Sequence, residues 1–410
     1  MKAIRFHPTI PRYAAGLTLG KLSQSILWSG ISCTSYDEVP DLELPGEEWV
    51  IIKTRFGGIC GSDMSAIHLS GSPYFTPFMS FPHTFGHENV GIIARCGRSV
   101  TGFKEGDRVV VEPTLWCRPR GFSDLCRFCQ CGEINRCERI TQGDISPGMM
   151  TGFCRDTGGS WSEFFLAHRS QLYQLPGEID EENGLMVEPF AVGLHAAINN
   201  LPEEHQLILV VGAGTIGLCT TAALRLLNPN SEIHVIARHP FQADAARKLG
   251  ADRVISASKD RDLYKQVSEI TGALLLTPIL GKRVLHGGYD QVFECVGNDT
   301  SLDDAIRLTR SGGEIILVGV PGISKHVDWS GIFGQELSLK AAYIYNHAEN
   351  YAGKKWRAFD LVLKFMLEGK IDTSWMVTHK FKLDQYRQAL KLQSQRGEHQ
   401  VIRTAFEFDK

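Results

Sequence analysis

Residues 207–227 read LILVVGAGTIGLCTTAALRLL. An apolar, β-branched run, Leu207–Val211, enters the turn Gly212-Ala213-Gly214-Thr215-Ile216-Gly217, and an apolar stretch with good helix formers leaves it. Such a sequence demands a strand, a tight turn and a helix. Gly212 makes the turn, Gly214 admits a pyrophosphate to the backbone, and Gly217 lets helix and strand pack closely. Thr215 and Ile216 open the helix, whose N-terminal N–H groups and positive dipole end attract phosphates. Three glycines at this spacing are weak evidence alone. Their strand–turn–helix setting is what makes them a dinucleotide site.

Working outward, the same alternation continues. EIHVIA (232–237), RVIS (253–256), Asp290–Cys295 and GEIILVG (313–319) read as strands, while FQADAARKLGA (241–251) and SLDDAIRLT (301–309) read as helices. This spacing predicts a parallel, doubly wound sheet, an α/β nucleotide-binding domain over 193–345. Upstream the pattern is different. Val50–Phe56, Asn89–Ala94 and Arg108–Glu112 are short β-branched runs bounded by turn residues. Helical periodicity is sparse before Glu182–Asn199, so residues 1–192 read as a mostly antiparallel β domain, a partly open barrel or sandwich. One amphipathic helix, KKWRAFDLVLKFMLEGK (354–370), and a strand, VIRTAFEF (401–408), make up a C-terminal segment, 346–410, expected to return to the first domain.

The end of the second nucleotide-domain strand bears on the cofactor. NAD sites place an acid there for the ribose 2′-hydroxyl. This chain has Ala237, followed by Arg238 and His239. A missing carboxylate beside a guanidinium accepts a 2′-phosphate, so NADP is favoured over NAD.

Composition excludes several classes of function. With a net charge of −3, the chain offers no electrostatic reason to bind nucleic acid or an anionic membrane. It contains no apolar run of spanning length, and its start lacks the pattern of a secretion signal. Eleven cysteines in that setting point to a reducing, cytoplasmic compartment, where clustered thiols bind metal more often than they pair.

Two stretches carry metal-binding chemistry. Gly57–Glu88, GGICGSDMSAIHLSGSPYFTPFMSFPHTFGHE, supplies a thiolate, an imidazole and a carboxylate in Cys60, His87 and Glu88. Three ligands and one open position are what a catalytic Zn²⁺ requires. The second stretch, WCRPRGFSDLCRFCQCGEINRC (116–137), holds Cys126-x-x-Cys129 and Cys137 at structural-zinc spacing, with Cys117 or Cys131 to complete a closed four-sulfur site.

Taken together, GGICGSD, FGHE, GDRVV, the cysteine lobe, GAGTIG and FECVG…GGEIILVG resemble the zinc-dependent medium-chain dehydrogenase/reductase family, the alcohol, polyol and threonine dehydrogenases. The resemblance covers nearly the whole chain. It implies a GroES-like catalytic domain beside a Rossmann domain, and Cys60 and His87 as catalytic zinc ligands. Glu88 matches a glutamate that binds zinc or stands behind it. Glu188, in VEPFAVGLHAA, matches the glutamate of the polyol and threonine branch, which contacts zinc directly or through its water. Ser62 matches the hydroxyl that begins the proton relay, and Asp63 a structural acid. Two departures stand out. Ser65 occupies the place of a relay histidine, with His68 three residues on, and Ser123 replaces one lobe cysteine, for which Cys117 is the substitute. The implied activity is interconversion of a small-molecule alcohol and its carbonyl by hydride transfer, in a homo-oligomer, a dimer or tetramer. Tyr74, Phe75, Phe78 and Trp116 are candidates to line a substrate pocket. Two rival readings are a zinc-free enone or quinone reductase and a non-catalytic nucleotide-binding protein.

Overall fold

The computed structural model describes residues 1–258 and 260–409, and the chain divides into two compact units. Residues 1–188, 346–348 and 359–410 form the first, and 189–345 with 349–358 the second.

In the first unit a mostly antiparallel seven-stranded sheet is built around the strand Trp49–Gly58, which pairs with Asn89–Cys96, Phe164–His168 and Arg403–Glu407. Its alternation sets the packing. Val50 and Ile52 face a cluster with Ile93, Val109 and Phe165, whereas Trp49 and Ile51 face Leu115 and Leu166. The strand is thus buried on both faces, which is why its sequence reads as a continuous apolar run. The end of the chain joins this sheet. Ala405 and Phe406 lie opposite Gly58 and Gly57, and the Phe406 ring meets Trp161 edge-on at 5.2 Å. Two features went unread in the sequence. The helix Ile10–Leu19 begins at a Pro-containing first turn and has few buried residues, so it shows little amphipathic signal. The stretch Glu182–Asn199 forms two helices, Glu181–Leu185 and Val187–Ile198, separated at Met186 rather than one continuous element.

The second unit contains a six-stranded parallel sheet in the order Arg253–Ser256, Glu232–Ala237, Leu207–Val211, Tyr289–Glu294, Thr309–Leu317, Ser338–Ala341. The order reverses beside the first strand of the unit, the arrangement of a doubly wound dinucleotide fold. Leu209, Val211, Val292 and Ile315 fill one side of this sheet, packed under the helix Asp299–Leu308 through Leu302 and Ile306. Lys354–Trp356 is a strand paired with Glu349–Tyr351 across a turn at Gly353, so the late amphipathic helix begins only at Ala358. No helix among the described residues is long and apolar enough to cross a membrane.

Phe406 is fully buried in the first unit's core. Phe406→Ala is expected to destabilise the protein by about 3–5 kcal/mol, the cost of emptying a large aromatic site, read as a lower midpoint in urea denaturation. A change under about 1 kcal/mol would show that the C-terminal strand adds little to the fold.

Candidate metal and nucleotide sites

The helix Gly61–Ile67 begins at Cys60, whose backbone is extended at the N-cap. Asp63, three residues on, is fully buried and accepts a hydrogen bond from the Cys60 N–H at 2.9 Å. Its other oxygen lies 3.6 Å from His87 Nδ1. One carboxylate therefore holds the start of the helix and orients an imidazole brought in by the following turn. A histidine ligand with a carboxylate behind it is the usual arrangement around a protein-bound metal.

Cys60, His87 and Glu88 converge, with one potential ligand atom from each lying within 4.8 Å of the others. Burial opposes ionisation of the Cys60 thiol, but the facing His87 charge overrides it and brings the thiol down to about 6. Burial likewise opposes a charged His87, and Asp63 and Cys60 outweigh it, holding the imidazole well above its ordinary range. The two groups thus favour each other's charged forms, the thiolate and the protonated imidazole. A divalent cation supplies the positive charge in place of that proton and leaves both groups in their ligating forms. Among the described residues neither Glu88 oxygen has a hydrogen-bond partner, although Oε2 forms an ion pair with the buried Arg403. The donor set fits zinc.

The remaining residues of this region separate clearly. Ser62 is half-buried on the first turn of the same helix. Glu188 is buried in the first turn of the helix Val187–Ile198 and is not a member of the three-residue group. His68 ends the Gly61–Ile67 helix, meets Trp28 edge-on at 6.2 Å and hydrogen-bonds Ser394 at 3.2 Å. Tyr74 is exposed and clusters with Phe75 and Phe78, whereas Trp116 is buried in the cysteine lobe against His347.

Arg403 is the residue that motif spacing did not single out. The only signal in the sequence is a cation inside an otherwise apolar strand. His83 is a second. It is fully enclosed, donates to Ser80 O through Nδ1–H, stacks against Phe6, and is brought down to about 4 by burial, so its ring is neutral. Phe153 packs against both His83 and His87.

In the cysteine lobe, Cys117, Cys126, Cys129 and Cys137 are all buried, and their sulfurs lie within 4.8 Å of one another. Cys131 is exposed and outside the group. A hydrogen bond from Cys129 draws the Cys137 thiol down to about 6, while burial pushes Cys117 up to about 11. A tetrahedral Zn²⁺ would hold all four sulfurs as thiolates. The lobe is anchored by Arg120, whose buried guanidinium donates to the carbonyls of Leu115, Gln142, Ile145 and Gly148. His347 also docks here, its Nε2 2.6 Å from Glu112 and its N–H on Gly132 O.

The nucleotide motif has the shape its sequence requires. Gly212 takes φ +101°, in the left-handed region that favours glycine. A Cβ on Gly217 would meet Gly212 O at 1.8 Å, whereas one on Gly214 would meet nothing within 4 Å. The turn is therefore closed on the protein side and open where a pyrophosphate approaches. Gly214 caps the helix Thr215–Leu227 without a side-chain acceptor, which suits a phosphate at its N-terminus. Ile216 is half-buried beside it. At the end of the next strand Ala237 is buried, Arg238 is exposed, and His239 caps the following helix and stacks on Phe241.

Comparison with known proteins agrees with this geometry. Residues 46–177 match the family model of the alcohol dehydrogenase GroES-like domain, and residues 215–360 that of the zinc-binding dehydrogenase. An L-threonine 3-dehydrogenase of Marinomonas sp. is 27% identical over 84% of this chain and 88% of that protein. A sorbitol dehydrogenase of Bacillus subtilis is 27% identical over 86% of this chain and 88% of its own length. Among solved structures, an Escherichia coli oxidoreductase/dehydrogenase of unknown specificity superposes with a TM-score of 0.71 at 27% identity, covering 92% of this chain and 96% of that one.

Gly217→Ala is expected to force the turn away from the helix, costing about 1–3 kcal/mol of stability as overpacking does. Nicotinamide-nucleotide binding, followed by cofactor fluorescence, should weaken with it. Unchanged binding would show that this turn is not where the phosphates rest.

Proposed function

The chain belongs to the zinc-dependent medium-chain dehydrogenase/reductase family and interconverts an alcohol with its carbonyl, and on that premise we propose which residues do so and on what. Cys60, His87 and Glu88 hold the catalytic zinc, and Glu188 reaches it directly or through a bound water. Cys117, Cys126, Cys129 and Cys137 hold a structural zinc. The substrate is a polyol, sugar or hydroxy-amino acid, and the cofactor is NADP in preference to NAD. The observation that carries this reading is the convergence of a thiolate, an imidazole and a carboxylate within 4.8 Å in a buried site, backed by Asp63 and Arg403.

A bound zinc supplies Lewis-acid polarisation of the substrate oxygen, and a bound nicotinamide ring the hydride acceptor. The protein's own residues do the rest. Asp63 keeps the Cys60 backbone and the His87 ring in place, so the ligands need no rearrangement when substrate arrives. Ser62, half-buried at the start of the same helix, takes the hydroxyl proton from the substrate and passes it outward. Gly212, Gly214 and Gly217 with Thr215 and Ile216 seat the pyrophosphate, while Arg238 and His239 flank the ribose. Arg238 is exposed and makes no ion pair among the described residues, which leaves its guanidinium for a 2′-phosphate. Among the described residues no disulfide joins two cysteines, which supports a reducing, cytoplasmic setting. By family habit the protein assembles as a homodimer or homotetramer.

The central test is zinc content together with turnover. Wild-type protein should carry zinc at both clusters, and Cys60→Ala should lose the catalytic ion, keep the structural one and lose alcohol oxidation. Equal zinc in both proteins with turnover intact would overturn the catalytic-zinc reading in favour of a metal-free reductase. For the cofactor, Arg238→Ala should raise KM for NADPH by roughly tenfold or more while leaving that for NADH nearly unchanged, since a charge-assisted hydrogen bond is worth ~1.5–3 kcal/mol. Equal effects on the two cofactors would remove the argument for NADP.

A further inference from the structure

A cavity of about 420 Å³ opens in the first unit, and none of its lining residues belongs to the groups described above. Arg12 of the helix Ile10–Leu19 walls one part of it, and Tyr36 and Asp37 of the strand Thr34–Glu38 another. Asp384, Tyr386 and Arg387, around the start of the helix Tyr386–Ser394, complete it. These positions all fall outside residues 46–177 and 215–360, the parts that match the family models. None of the residues assigned above to the metal or nucleotide sites lines the cavity.

Its shape is held by specific bonds. The Tyr36 and Tyr386 rings stack at 5.6 Å. Tyr386 donates its hydroxyl hydrogen to Trp28 O at 3.0 Å and accepts from Arg387 Nε at 3.1 Å. Asp37 accepts from the Ser35 hydroxyl at 2.8 Å. Two guanidiniums and two carboxylates thus line one small space, yet no ion pair joins them among the described residues. Arg12 Nη1 is buried and has no hydrogen-bond partner among the described residues. The neighbouring Cys33 does not compensate its charge, because burial pushes that thiol up to about 11 and keeps it neutral.

A buried guanidinium N–H without an acceptor is costly, and the cavity lies within the size range of small-molecule sites. Arg12 and Asp37 are half-buried, and Asp384 and Arg387 are exposed at the rim. A lone anion would answer the buried Arg12 Nη1 while meeting two carboxylates, and a neutral polyol would leave that Nη1 without a counter-charge. A ligand bearing both signs answers both arginines and both aspartates. We propose that this cavity is a second, non-catalytic site for a small zwitterion, its carboxylate taken by Arg12 and Arg387 and its ammonium by Asp37 and Asp384. The tyrosine hydroxyls provide orientation. Such a ligand is of the amino-acid class.

The experiment is calorimetric titration of the full-length, zinc-loaded protein with glycine, β-alanine, 4-aminobutyrate and 6-aminohexanoate. None of these carries a hydroxyl group, so none is a substrate for alcohol oxidation. One member of the series should bind once per chain with Kd of roughly 1 mM or tighter, and acetate or methylammonium at least about tenfold more weakly. Arg12→Met and Asp37→Asn should each remove that binding, with kcat and KM for alcohol turnover unchanged, and Ser62→Ala should retain it. Should Arg12→Met fail to fold, Arg387→Gln, at an exposed position, carries the same test. Absence of binding across the series up to about 10 mM, binding equally tight for acetate alone, or binding unaffected by the arginine substitutions would each overturn the proposal.

Discussion

Asp63 is fully buried, and two parts of the metal site depend on it. One oxygen accepts the Cys60 N–H and so sets where the helix Gly61–Ile67 begins. The other faces His87 Nδ1 from a turn more than twenty residues away. Oδ2 is satisfied by the Cys60 N–H, while Oδ1 has no hydrogen bond among the described residues and is balanced by the His87 ring 3.6 Å away. The burial of this carboxylate therefore depends on the residues that present ligands. Positioning of the site is thereby tied to the same polar accounting that keeps the core folded.

A similar economy runs through the first unit. Glu88 is buried against Arg403 on the C-terminal strand, Arg55 bonds Glu181 and the carbonyl of Phe408, and Arg120 is enclosed by backbone carbonyls. Breaking one partner of such a buried arrangement leaves an uncompensated charge, which costs more than the pair itself contributes. The C-terminal strand is therefore more than an edge of the sheet. It delivers Arg403 to the metal-site glutamate and Phe406 to the core, joining the end of the chain to the stretch around Cys60. Gly58 belongs to the same constraint, because a Cβ there would run into Glu88 Oε2 at 2.1 Å.

Most of the fold was legible in the sequence. The second unit was read from a strand, three glycines and a helix, since that phosphate-binding turn has few solutions and its neighbours repeat the same alternation. The core strands of the first unit were legible because Val50–Ile52 and Val109–Val111 are short, β-branched and bounded by turns. What escaped were elements with weak periodicity. The helix Ile10–Leu19 buries little, and the pair Glu349–Tyr351 and Lys354–Trp356 is held by tertiary placement and a left-handed glycine rather than by an apolar pattern.

Residue identity and local spacing alone determined the chemistry available to this protein: a thiolate, an imidazole and a carboxylate near short turns, four clustered cysteines, and a glycine turn with an arginine where an acid is common. Local propensity and hydrophobic period carry that much because they act over a few residues. Only the tertiary structure decided which side chains meet. It placed Cys117 rather than Cys131 with the other three sulfurs, brought Arg403 to Glu88, and set Arg12 and Arg387 around a cavity with Asp37 and Asp384. Those encounters join residues tens to hundreds of positions apart. They follow from how whole sheets and helices pack, and from the need to give each buried charge a partner, neither of which is written in any single stretch of the chain.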